Sequence, residues 1–133
     1  MNKVAGGLSL LLGLGFGIPG VIGTLRFAES GSVWMFLGFP TYGDGPFLDV
    51  GVPTTVPLLV GFVVVCAAEV VLGIVLWIRP RVGWWLSFAL LPFELAYWIG
   101  FALPFGPVLG ALRALAAGLA LRNETQDKEG VRG

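Results

Sequence analysis

Apolar residues in this chain come in long unbroken runs, without the regular polar interruptions of an amphipathic surface helix or a half-buried strand. The runs 4–25, 56–78, 82–103 and 104–121 each approach the roughly 20 residues that carry an α-helix across a hydrocarbon core. Short breaks divide them: Arg26 after the first, Arg79-Pro80-Arg81 between the second and third, Arg122 after the fourth. The expected fold class is therefore all-α. Residues 1–122 should form one four-transmembrane-helix bundle of up-down topology, and the polar residues 123–133 a disordered cytoplasmic tail. One connection is long. Residues 27–55 open on the apolar and aromatic SVWMFLGFP and pass into the turn-rich TYGDGPFLDVGVP, which predicts an interfacial or re-entrant segment followed by turns.

Composition narrows the picture. The chain of 133 residues is 56% hydrophobic and 12% charged, whereas a soluble domain carries about 25% charged residues. Lys3, Arg79, Arg81, Arg122, Lys128 and Arg132 all fall on one side of the expected spans and only Arg26 on the other, so both termini are expected in the cytoplasm of a multi-pass cell-membrane protein. Arg26 can snorkel from the outer end of the first span. A cleaved signal peptide is disfavoured, because the first run is longer than a usual h-region and no small-x-small site follows it cleanly. With eight basic and eight acidic residues and no charged block outside the tail, no nucleic-acid footprint is present. The absence of His and the single Cys66 exclude His-ligated metal sites, His-dependent triads and an intrachain disulfide. No catalytic residue and no metal ligand set is expected.

Two patterns resemble chemistry and are better read as structure. Gly15, Gly17 and Gly20 spell the dinucleotide fingerprint G-x-G-x-x-G, but inside an apolar run that also holds Pro19 there is no strand-to-helix turn to cradle a pyrophosphate. Together with Gly13 and Gly17, and with Gly110, Ala114 and Gly118, all at four-residue spacing, these small residues are expected to form helix-packing seams. Asn123-Glu124-Thr125 is a glycosylation sequon on the side predicted to be cytoplasmic, where it would not be used.

The ionisable residues within the runs are Glu69, Glu94 and Arg113. At a lipid-facing helix centre each would cost about 2.5–3.5 kcal/mol, so all three should face inward. At about 1.5 Å of rise per residue, Glu69 stands about 15 Å from Arg79, Glu94 about 20 Å from Arg81 and Arg113 about 14 Å from Arg122, near the midplane in each case. Side chains lean towards the N-terminus of their own helix, which brings the three heads together. Small neighbours, Gly110, Ala116 and Ala117, leave room beside Arg113, while Ser87, Glu94 and Tyr97 with the adjacent Trp98 predict a polar and aromatic stripe on the third span. Pro92 frees the Phe88 carbonyl in that span. Two acids and one base leave one negative charge over, so one carboxyl is expected to hold a proton. The cluster reads either as a buried ion pair that fixes helix register or as a ligand-binding pocket.

The stretches GLGFGIPGVIGTLRF and GFVVVCAAEVVLGIVLWIRPRVGWW resemble the DoxX-like family of small four-helix membrane proteins, through a glycine-rich first helix ending in a basic residue and a second helix with Glu, Gly and a basic turn. Arg26, Glu69, Gly73 and Arg79 stand at those places, and the match covers about half the chain. The resemblance implies an accessory membrane subunit, in some members tied to quinol oxidation or a larger redox complex. No haem, flavin or iron-sulfur ligation pattern accompanies it. The leading expectation is a nonenzymatic membrane protein holding a quinone or lipid beside Glu69, Glu94, Arg113, Tyr97, Ser87 and Trp98, or docking on a larger complex. The alternative is a proton- or ion-coupled transporter or channel acting as a homo-oligomer. An enzyme ranks last, since these residues offer acid, base and anion contacts without a nucleophile.

Overall fold

The computed structural model describes residues 2–36, 39–43, 45–103 and 105–132. Leu37 and Gly38 of the expected interfacial segment, Asp44 of its turns and Pro104 at the head of the fourth run lie outside these residues. In chain order the elements are α1 (Asn2–Ser30), strands β1 (Trp34–Phe36) and β2 (Phe39–Thr41), a short α2 (Pro46–Asp49), α3 (Val56–Ile78), α4 (Pro80–Gly100) and α5 (Phe105–Arg132). Three helices, α1, α3 and α4, are long and apolar enough to cross a membrane. α5, over the predicted fourth span, is not among them.

Local chemistry explains the boundaries. Thr55 caps α3, its hydroxyl accepting from the Leu58 amide at 3.3 Å, and Pro57 sits in the first turn, where a missing N–H costs nothing. Pro80 likewise opens α4, so that helix begins two residues before the apolar run. It ends earlier than the run: Leu103 N–H reaches the Trp98 carbonyl at 2.7 Å and Ala102 N–H the Ile99 carbonyl at 3.1 Å, a Schellman closure with Ala102 in the left-handed region at φ 53°. The tail is ordered as helix, contrary to expectation. Glu124 accepts from Arg81 on α4 at 2.5 and 2.8 Å and lies 3.6 Å from Lys128 one turn on, so side-chain pairing carries α5 to Arg132. The long connection also takes a form the sequence did not foresee, since β1 and β2 pair antiparallel as a small hairpin and α2 follows.

α1 packs on α3 and α5, and α4 packs on the same two. The α1–α3 seam is antiparallel and built on glycine. A Cβ at Gly13 would lie 2.7 Å from the Cys66 carbonyl, and one at Gly73 would lie 2.9 Å from the Gly6 carbonyl. The G-x-G-x-x-G residues divide between surfaces: Gly17 and Gly20 face Cys66 and Phe62 of α3, whereas Gly15 faces open space. Gly118, expected in a seam, also meets nothing, while Gly110 and Gly106 receive the Trp98 ring. Around this frame lies a wide outward apolar surface, including Leu11, Leu14, Ile18, Val64, Val71, Phe93, Ile99 and Leu115, far more than a soluble monomer exposes.

Two apolar cores fill the interior. One gathers Leu12, Tyr42, Leu59, Phe62, Cys66, Trp98, Phe101 and Leu103, and the other Ala5, Leu72, Leu76, Trp84, Ala116, Ala117 and Ala120. On α3 the gap between them falls at Glu69, and on α4 it contains Glu94. Arg113 precedes the small residues of the second core on α5.

Candidate functional site

The structure brings Glu69 of α3, Glu94 of α4 and Arg113 of α5 into one buried cluster. Glu94 and Arg113 have no exposed surface and Glu69 retains 2%. Glu94 takes the guanidinium in bidentate fashion, with Nη1 donating to Oε1 at 2.8 Å and Nη2 to Oε2 at 2.7 Å. Glu69 binds through one oxygen only, Oε1 accepting from Arg113 Nη1. The guanidinium thus bridges two carboxylates, its planar fork matched to one of them. Arg113 Nη2 also lies 3.4 Å from the Ser87 carbonyl, one further tie to α4.

The arrangement leaves donors and acceptors over. Among the described residues Glu69 Oε2, Arg113 Nε, Ser87 Oγ and Ser9 Oγ are buried and have no hydrogen-bond partner. A buried polar group left unpaired costs about 1–3 kcal/mol, so each of these atoms favours any partner of the right sense that can reach it. Ser9, on α1 and wholly buried, was missed in the sequence reading. Its signal was modest: a lone hydroxyl in the first half of an apolar run.

The aromatic members separate. Trp98 packs its ring over Gly106 and Gly110 of α5, one turn from Arg113, and is buried. Tyr97 instead turns towards α3, its hydroxyl against Gly61 and its ring among Phe47, Phe62 and Phe101. The expected stripe of Ser87, Glu94 and Tyr97 is therefore split: Ser87 and Glu94 face α5, and Tyr97 joins an aromatic cap. Tyr42, just after the hairpin, completes that cap against Phe62 and Phe101, with ring centroids 5.2 and 6.5 Å away. Burial holds its phenol above the usual range.

The cluster offers one fixed cation, two carboxylates and the Ser87 hydroxyl, without a nucleophile activated by a base. Among the described residues no group of His, Cys, Asp and Glu is placed to hold a metal ion. No family model, curated protein or solved structure matches this chain.

Proposed function

We propose that the chain is a nonenzymatic, four-helix integral membrane protein, its helices alternating in direction across the bilayer and both termini cytoplasmic, whose midplane cluster receives the head of a small amphipathic molecule such as a quinone or lipid. The observation behind this reading is the set of unpartnered buried atoms beside the Glu69–Arg113–Glu94 bridge. Glu69 Oε2 accepts, Arg113 Nε–H donates and the Ser87 hydroxyl does either. A guest with a carbonyl and a hydroxyl answers both senses. The exposed apolar surface also fits an accessory subunit seated against a larger membrane or redox complex, as kinship with the DoxX-like family through Arg26, Glu69, Gly73 and Arg79 would imply.

The test is recovery of the guest. Protein purified in mild detergent should release a quinone-like or lipid-like molecule in fixed proportion, and Ser87→Trp should expel it while helicity is retained. A second reading rests on the same Glu69 oxygen: a carboxylate bound by one oxygen is free to take a proton at the other, as a proton-coupled transporter requires. Guest-free protein that moves protons across liposomes, with flux lost in Glu69→Gln, would replace the binding reading with that one.

A further inference from the structure

At the end of the molecule opposite the hairpin, a cleft of about 660 Å³ opens between the start of α1, the α3–α4 turn and α5, remote from the midplane cluster. It is lined by Asn2, Arg79, Arg81, Trp84, Glu124 and Asp127 among others. Trp84 is 4% exposed and held by its indole N–H, which donates to Asn2 Oδ1 at 2.9 Å. The Arg81–Glu124 bridge ties α4 to α5 across the cleft. With that pair satisfied, one cation and one anion in the lining stay unmatched: among the described residues neither Arg79 nor Asp127 forms an ion pair. Next to the cleft, the exposed Trp77, Ile78, Val82 and Trp85 form the apolar and aromatic rim that marks the headgroup level of a bilayer.

We infer that this cleft is a binding site for a zwitterionic phosphate ester carrying a primary ammonium, supplied as the headgroup of a membrane phospholipid. Arg79 meets the phosphate as a charge-assisted, fork-shaped donor. Asp127 meets the ammonium, which donates up to three hydrogen bonds. A quaternary ammonium has no N–H to give, so the cleft should distinguish an ethanolamine headgroup from a choline one. Balance between one free cation and one free anion also disfavours a headgroup with net negative charge. The apolar rim at Trp77, Val82 and Trp85 accepts the first part of the acyl chains, which is why a lipid and not a free ester is the fitting source.

The full-length chain in choline-lipid nanodiscs doped with equal small amounts of phosphatidylethanolamine and phosphatidylglycerol provides the test, read by native mass spectrometry. The ethanolamine lipid should be retained in preference to both others. Arg79→Gln should lower retention of every phospholipid about tenfold, the equivalent of one charge-assisted hydrogen bond, and Arg79→Lys should restore it only in part, because lysine keeps the charge without the fork. Asp127→Asn should abolish the preference for ethanolamine over choline and, by removing the free anion, weaken the discrimination against phosphatidylglycerol. Both side chains lie at the surface and cap no helix through their side chains, and circular dichroism checks that the variants fold. Equal retention of ethanolamine and choline lipids by the unmodified protein would overturn the proposal, as would unchanged retention in Arg79→Gln. Thermal stabilisation by free phosphoethanolamine without lipid selectivity would instead give the cleft to a soluble ester and overturn the lipid source.

Discussion

Arg113 gives two hydrogen bonds to Glu94, at 2.8 and 2.7 Å, and shares only its Nη1 with Glu69. The two acids are therefore unequal partners, although both lie at the middle of an apolar helix.

Removing the cation should strand both. Breaking a buried pair typically costs about 3–5 kcal/mol, and we expect Arg113→Leu to destabilise by that order in reversible detergent unfolding. Adding Glu94→Gln to Arg113→Leu should recover more stability than adding Glu69→Gln, because Glu94 is the fully enclosed, two-point partner. Equal recovery, or purely additive losses, would contradict the asymmetry.

Glycines two residues apart on α1, and so on nearly opposite faces of the helix, should respond in opposite ways. A side chain at Gly13 meets the backbone of α3, whereas one at Gly15 meets nothing within 4 Å. Gly13→Val should weaken the fold by about 1–3 kcal/mol, the usual range for overpacking, while Gly15→Val should be tolerated. Thermal melting of the two variants decides it.

Ala102 occupies a left-handed conformation at the close of α4. Substitution by glycine relieves the Cβ clash and costs some unfolded-state entropy, for an expected net gain of about 0.5–1 kcal/mol. A lower melting temperature for Ala102→Gly would show that the turn is held some other way.

The end of α5 should respond to pH. The hydrogen bond from Arg81 lowers the Glu124 pKa below its ordinary value, and the charges of Arg81 and Lys128 act in the same direction. A lowered folded-state pKa means that the bridge stabilises the helix above the unfolded Glu range and ceases to do so as pH falls through the folded value. A spin label at Glu129 should therefore gain mobility on acidification. In Glu124→Gln the label should be mobile at every pH, and a label insensitive to pH in the unmodified background would refute the prediction.

Membrane orientation is open to direct labelling. In a Cys66→Ala background, a cysteine at Ser32, exposed before the hairpin, should react with an impermeant maleimide from outside the cell. One at Asp127 should react only after permeabilisation. Reversed accessibility would invert the proposed topology.

Much of this architecture is written in local composition. Long apolar runs broken by prolines and arginines specify helices at nearly the right positions, and α3 coincides with its predicted run, because burying backbone polar groups away from water demands helix whatever the tertiary context. The cost of a lipid-facing charge places Glu69, Glu94 and Arg113 inside, and counting residues from the flanking arginines places them near one depth. Rotation of each helix about its axis was another matter. These helices are apolar on nearly every face, so periodicity carries little azimuthal signal, and it is the glycine contacts of α1 with α3 and of Trp98 with Gly106 and Gly110 that set it. That rotation turned Tyr97 away from Glu94, buried Ser9 and decided which carboxylate received both arms of Arg113. The hairpin, and the extension of α5 through Glu124 to Arg132, likewise depend on partners distant in sequence, Tyr42 against Phe62 and Phe101 in one case and Arg81 in the other. Depth in a membrane follows from counting residues along one helix, whereas facing is decided only when helices pack.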